Sequence, residues 1–360
     1  MPLVRRSGVD DLAGWGRFSS TSLVFRCCSR EESRNVIRMP PPTKVKRPSA
    51  ITVGEFYKQN EKALKLKLVG SEAGFDRKIY EPSVNRPGLA LSGFFTYFAY
   101  KRIQVIGNSE HSFLEGLEPK LRAARFSQLC SWDIPCIVIA RGHRLDEELI
   151  EIANSAGITV FQTSMMTMRF LNAATIKLEW TFAPSVLVHG CMVDVQGVGV
   201  LIQGDSGCGK SESVIGLLQR GGSLVADDAV RLRLIEDREI VGSAPDLTRG
   251  MIEIRGLGIL NVAALFGVGA VRLSKRLDFI VELVRGAKTQ DLERVGVSTD
   301  ARDVMGMKIE RVALPVEPGR DVAGLIELAA INFKLRTFGY NSAVEFDQRL
   351  LKKMTDDQLG

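Results

Sequence analysis

The sequence predicts an α/β protein in two parts, and three observations carry that expectation. Between residues 51 and 182, short β-branched runs alternate with helical segments. Near residue 185 the pattern changes to longer β-rich runs that turn back on themselves. Between two of those hairpins, a glycine-rich octapeptide joins a strand to a helix. The first pattern builds an open α/β sheet, and tight turns between neighbouring strands build antiparallel ladders. The expected organisation is a flexible basic tail over 1–50, an α/β assembly or regulatory domain over 51–182, and a catalytic domain with a mixed β-core over 183–360.

At 360 residues, 45% hydrophobic and 25% charged, the chain is long enough for two cores. No apolar run reaches the roughly 20 residues of a membrane span. The most apolar stretch, 259–271, is short and rich in glycine and alanine. The formal charge of +6 comes entirely from residues 1–50, which carry ten Lys/Arg against four Asp/Glu, leaving 38 of each sign in the remainder. A neutral body gives no counterion-release argument for nucleic acid. The first 50 residues are rich in Arg, Ser and Pro without periodicity and read as a flexible tail. A targeting peptide is the alternative, opposed by Asp10, Asp11, Glu31 and Glu32, and Met39 is an alternative start.

In the first part, Gln104-Val105-Ile106-Gly107 reads as a strand before a helix over 113–124. Cys136-Ile137-Val138-Ile139-Ala140 precedes a helix over 146–156, and Ile158-Thr159-Val160-Phe161 precedes one over 164–180. His111 and His143 lack metal-spaced companions, and no phosphate fingerprint occurs there. Six cysteines, Cys27, Cys28, Cys130, Cys136, Cys191 and Cys208, form no C-x-x-C pair and read as reduced cytoplasmic thiols.

In the second part, 185–195 reads as one long β-rich run, turning at Gln196-Gly197 into the apolar strand Val198-Gly199-Val200-Leu201-Ile202-Gln203. Gly204-Asp205-Ser206-Gly207-Cys208-Gly209-Lys210-Ser211 follows and fits G-x-x-x-x-G-K-[ST], the phosphate-cradling P-loop. Its glycines let backbone N–H groups approach phosphate oxygens, Lys210 supplies a point charge, Ser211 a hydroxyl for Mg²⁺, and the helix over 211–219 a favourable dipole. The chain is therefore expected to bind a nucleoside triphosphate. Cys208 is open to a redox-sensing reading and to the plainer one of a small side chain whose backbone does the work.

Leu224-Val225-Ala226 ends in Asp227-Asp228, 18 positions after Lys210. A strand beside the loop strand would deliver these carboxylates to the triphosphate, one holding magnesium through water and one accepting a hydroxyl proton. A hairpin follows over 229–241. Then Ile252-Glu253-Ile254-Arg255-Gly256-Leu257-Gly258-Ile259-Leu260-Asn261-Val262 sets a Glu and an Arg in an apolar, glycine-punctuated segment.

Together with Val188-His189-Gly190, the octapeptide and Asp227-Asp228, this segment resembles the signature set of the HPr kinase/phosphorylase family. The resemblance runs from about residue 184 to 341, is weaker over 50–183 and does not reach the tail. It implies ATP-dependent phosphorylation of a serine on the phosphocarrier protein HPr, and its reversal by inorganic phosphate with release of pyrophosphate, in control of carbon metabolism and sugar uptake. It also implies a catalytic domain resembling phosphoenolpyruvate carboxykinase and a homohexamer.

Carried onto this sequence, the resemblance makes Asp228 the proton acceptor, assisted by His189, with Lys210 stabilising the transferred phosphoryl group. Ser211 and Glu253 become Mg²⁺ ligands, and Gly204, Asp205, Ser206, Gly207, Cys208, Gly209, Lys210 and Ser211 the ATP loop. Arg294 would neutralise phosphate oxygens, and Pro315-Val316-Glu317-Pro318-Gly319-Arg320 matches the loop tied to dephosphorylation. Read without it, His189 is more readily a strand histidine satisfied by a neighbour, and 315–320 an ordinary proline–glycine turn. The helix-like stretch 332–340 offers basic and aromatic contacts to a partner or packs its aromatics in the core. Cys208 and Val295 depart from the aliphatic residue and the leucine common in the family. Competing functions are a small-molecule kinase, in which Asp228 activates a metabolite hydroxyl, and a non-catalytic nucleotide-sensing module.

Overall fold

The computed structural model describes residues 45–285 and 300–358. Its first sheet has the order Leu66–Leu68, Thr159–Thr163, Cys136–Ile139, Ile103–Ile106 and Val84–Asn85. All neighbours run parallel except the antiparallel edge Leu66–Leu68. Ile103–Ile106 and Cys136–Ile139 are buried at every position because helices cover both faces, which is why Cys136–Ile139 reads as an unbroken apolar run, while the buried Gln104 of the other strand donates to the Ala99 and Arg102 carbonyls. Phe56, Phe170 and Leu178 pack on one face from the helices Val53–Leu64 and Thr167–Phe182. Leu114, Phe126 and Leu149 pack on the other.

The single helix expected over 113–124 is instead two, Asn108–Glu115 and Pro119–Cys130. Gly116 caps the first, and Pro119, which has no N–H to donate, starts the second. The two histidines of this region stack on each other, with ring centroids 4.2 Å apart.

The second part holds a mixed six-stranded sheet ordered Ser223–Ala226, Cys191–Val195, Val198–Gly204, Phe279–Arg285, Met307–Val316 and Asp300–Val304. The hairpin Cys191–Val195/Val198–Gly204 is antiparallel as expected. Val198–Gly204, Phe279–Arg285 and Met307–Val316 run parallel. Val200 and Ile202 face the helices Lys210–Gln219 and Val322–Thr337, whereas Leu201 faces a second, four-stranded sheet. There the two sheets meet closely: a Cβ on Gly242 would lie 2.0 Å from Met192 Sδ.

The run 185–195 is not one strand. It breaks at Gly190 (φ +150), sending Ser185–His189 to the four-stranded sheet and Cys191–Val195 to the six-stranded one. A Cβ at Gly190 would meet Ile202 O at 2.7 Å, so the crossing requires glycine. The helix Val322–Thr337 settles the two readings of 332–340 in part. Phe333 packs against Phe279 with ring centroids 5.4 Å apart and the rings tilted by 30°, while Phe338 is exposed. The two parts also touch, since the Arg233 guanidinium lies 4.8 Å from the ring of Trp180.

Candidate functional site

The six-stranded sheet ends in a pocket of ≈ 200 Å³ lined by His189, Lys210, Ser211, Asp227, Asp228, Glu253 and Arg255, with parts of the octapeptide. A larger cavity of ≈ 540 Å³, bounded by Glu236, Arg238, Arg276 and Met307, contains none of the site residues expected from sequence.

The loop Gly204–Gly209 leaves the strand Val198–Gly204 and enters the helix Lys210–Gln219. Gly204, Gly207 and Gly209 all have positive φ. At Gly204 (φ +146) a Cβ would lie 2.6 Å from Leu283 O and 2.8 Å from Cys208 Sγ, so both conformation and space exclude a side chain. The nearly buried Lys210 donates from Nζ to Gly204 O at 2.9 Å and Asp205 O at 3.0 Å, which ties its charge to the mouth of the loop. Cys208 points into the core, and burial pushes its thiol above the ordinary value. A protonated, enclosed thiol is a poor nucleophile, which favours the plainer reading of this residue.

Asp227 and Asp228 follow the strand Ser223–Ala226. That strand does not lie beside the loop strand; Cys191–Val195 separates them. Two antiparallel steps restore the direction, so the carboxyl ends of Ser223–Ala226 and Val198–Gly204 still point the same way and the acids reach the loop.

Asp227 is 5% exposed. Its Oδ1 accepts from Cys191 Sγ at 2.9 Å and Ser211 Oγ at 3.4 Å, and its Oδ2 accepts from the Glu253 N–H at 3.0 Å. Burial, and then the Asp227 charge, push the Cys191 thiol up, so it stays a donor. Ser211, Asp227 and Glu253 all line the pocket, and the oxygen donors they carry are of the hardness that suits Mg²⁺.

Asp228 takes the opposite orientation. Its φ of +62 swings the side chain outward, where it is 74% exposed with Oδ1 3.1 Å from His189 Nδ1. The strand pairing enforces this approach: Ala229 is registered against His189, and Gly190 N–H donates to Asp228 O at 3.0 Å. Behind His189, buried Gln203 donates to the His189 carbonyl at 3.2 Å and accepts from Arg302 Nη1 at 3.1 Å.

Glu253 and Arg255 come from the hairpin Met251–Ile254/Gly258–Asn261, a two-stranded ladder where a single apolar segment was expected. Arg255 Nη2 reaches Ser206 Oγ at 3.3 Å.

Of the residues expected from sequence, His189, Lys210, Ser211, Asp228 and Glu253 meet in this pocket. Of the eight loop positions, Ser206, Gly207 and Gly209 also line it, and Cys208 turns away. Arg294 lies outside the described residues. The turn after Pro315 sits at the carboxyl end of the strand Met307–Val316, on the same sheet edge as the loop. Gln203 and the Cys191–Asp227 bond were not anticipated, and Arg255 had been noted without a role. Only Arg255 carried a sequence signal, as a charge within an apolar segment.

A site of this kind can cradle a polyphosphate with its cation and take a proton from an incoming hydroxyl, the equipment of a phosphotransferase. Comparison with known proteins agrees. The model of the HPr serine kinase C-terminal domain matches residues 180–350, and that of the HPr serine kinase N terminus matches 51–178. A protein of Alkaliphilus metalliredigens named HPr kinase/phosphorylase is 44% identical over 273 residues, 76% of this chain and 88% of the relative. One of the same name from Peptoclostridium acidaminophilum is 41% identical over 306 residues, 85% and 98% of the two chains. Among solved structures, the Hpr(Ser) kinase/phosphatase of Coxiella burnetii shares 31% identity over 44% of this chain and 97% of its own, with a TM-score of 0.39. The chain belongs to the HPr serine kinase family, a family of kinase/phosphorylase enzymes.

Proposed function

We propose that this protein phosphorylates a serine of HPr with Mg-ATP and removes that phosphate by phosphorolysis, releasing pyrophosphate. The observation that carries the reading is the outward-facing pair of Asp228 and His189, at 3.1 Å, in the pocket that Lys210 and Ser211 enter from the glycine-rich loop. A nucleotide-sensing module has no use for an exposed proton acceptor, and the family favours a protein acceptor over a metabolite.

In this reading the loop Gly204–Ser211 holds the triphosphate through its N–H groups. Mg²⁺, when bound by Ser211 and Glu253 with Asp227 behind them, neutralises charge on the phosphate oxygens. Asp228 takes the proton of the serine hydroxyl as the oxygen attacks the γ-phosphorus, the bond from that phosphorus to the β,γ-bridging oxygen breaks to release ADP, and His189 orients the carboxylate. Lys210 balances charge on the phosphoryl group in flight. In reverse, an oxygen of inorganic phosphate attacks the phosphorus of the phosphoserine and gives up its proton, the serine O–P bond breaks, protonated Asp228 supplies a proton to the departing serine oxygen, and pyrophosphate is released as product.

Arg294 and the turn 315–320 are assigned here to phosphate neutralisation and to the reverse reaction. Residues 51–182 are read as the assembly or regulatory domain and 183–360 as the catalytic one, related in fold to phosphoenolpyruvate carboxykinase and assembled as a homohexamer in the cytoplasm. Among the described residues no helix is long and apolar enough to cross a membrane. The test is a two-way assay. Mg-ATP should label HPr on serine, and excess phosphate should then release pyrophosphate from the labelled form. Phosphorylation of a metabolite with HPr unlabelled would overturn the reading.

A further inference from the structure

We propose that the tip of the hairpin Met251–Ile254/Gly258–Asn261 is a docking rim for the protein that carries the acceptor serine. The inference rests on the functional reading above and goes beyond it by naming the surface that holds the acceptor.

The ladder explains why this rim is unusual. Glu253 is registered against Ile259, and Ile252 against Leu260. Residues paired directly across an antiparallel ladder share a face. Ile252 and Leu260 face inward and pack in the core beneath the helix Lys210–Gln219. The other face carries Glu253, which lines the catalytic pocket, and beside it Ile259, which is 72% exposed. The turn between the strands adds Leu257, also 72% exposed, and Gly256 and Gly258, both at φ +83, hold it tightly closed. Arg255, in the same turn, reaches back to Ser206 of the loop. Two large apolar side chains therefore stand in water on the same hairpin whose Glu253 and Arg255 line the polar pocket.

The identity of the occupant follows from the position of Asp228. Its carboxylate is exposed, so an acceptor hydroxyl comes from outside into the pocket that Glu253 and Arg255 of this hairpin line. A metabolite that fits a pocket of ≈ 200 Å³ would leave Ile259 and Leu257 in water. A protein laying a serine against Asp228 covers them and gains apolar contact that fixes its register.

The test is steady-state phosphorylation of HPr by Mg-ATP, comparing wild type with Leu257→Ser, Ile259→Thr and the double variant. Threonine keeps the β-branched shape the ladder needs, and circular dichroism checks that each variant is folded. The expected result is a KM for HPr raised about tenfold or more in the double variant, with KM for ATP and kcat within about twofold of wild type. An unchanged KM for HPr overturns the proposal. A change in oligomeric mass by light scattering, with KM unchanged, assigns the rim to a second copy of this chain and also overturns it. Failure of the wild type to label HPr defeats the functional reading first, before any variant is made, and the docking proposal with it.

Discussion

Asp227 and Asp228, adjacent in sequence, serve opposite sides of the pocket. One is sunk among a thiol, a hydroxyl and a backbone N–H, and the other is turned outward against His189. Their separation rests on the left-handed backbone at Asp228, a conformation an aspartate tolerates better than most residues.

Asp228→Asn removes the proton acceptor while keeping size and hydrogen-bonding capacity. Turnover should fall by about 10²-fold to 10⁴-fold in both directions, with nucleotide affinity within about threefold of wild type. Paired kinetic and fluorescent-nucleotide titrations measure this, and abolished nucleotide binding in a folded variant would show the role to be misassigned.

Asp227→Ala should behave differently, because it strands the Cys191 thiol and the Glu253 N–H that donate to the carboxylate. A cost of about 1–3 kcal/mol is expected for each buried donor left without a partner. Thermal denaturation should show the loss, and Asp227→Asn, which keeps one acceptor oxygen but turns an NH2 toward the donor on the other side, should lose less stability than Asp227→Ala while raising the Mg²⁺ concentration needed for half-maximal activity. Equal Mg²⁺ dependence in wild type and Asp227→Asn would remove Asp227 from the cation's surroundings.

Gly204→Ala places a Cβ within 2.6 Å of Leu283 O at a φ that L-residues avoid. The variant should lose nucleotide binding at least tenfold and melt several degrees lower. Gly209→Ala also has positive φ but meets nothing within 4 Å, so its loss should be smaller. Calorimetric binding and melting curves of the two variants together separate backbone strain from steric collision.

The thiol of Cys208 titrates above its ordinary value because it is buried. An acid whose folded pKa is raised stabilises the fold below the unfolded pKa, and that contribution fades as pH climbs through the folded value. Raising pH from 8 to 10 should therefore lower the melting temperature less in Cys208→Ala than in wild type. At pH 8 iodoacetamide should label Cys208 faster in denaturant than in the folded chain. Fast labelling of the native protein, with loss of nucleotide binding that Cys208→Ala prevents, would restore the redox-sensing reading.

What could be read in advance follows from the range of the interactions. The octapeptide is local, and its glycines, lysine and serine announce a geometry built within eight residues. The buried strand Cys136–Ile139 and the hairpin at Gln196-Gly197 were equally visible as periodicity and turn chemistry. Long-range pairings were not. Cys191 lies 36 residues from Asp227, and Arg302 lies 99 from Gln203, so neither bond leaves a trace in spacing. The break at Gly190 went unread because its cause, the approach of Ile202 O, belongs to the other strand. The second acid of the pair was identifiable through resemblance, but its outward turn depends on a register set only when Ala229 meets His189.

That register limits how this gene can change over evolutionary time. The segment from Ala226 to Ala229 passes from one sheet to the other, with one carboxylate committed to each side of the pocket on the way. A single codon inserted or deleted there would shift the pair by one position, so that at most one of the two acids could keep its place. The turn at 236–238, beyond the next strand, has no such constraint. Descendants of this chain should therefore show length variation at that turn and none across the four residues that bear the acids, a pattern that comparison among its close relatives would reveal.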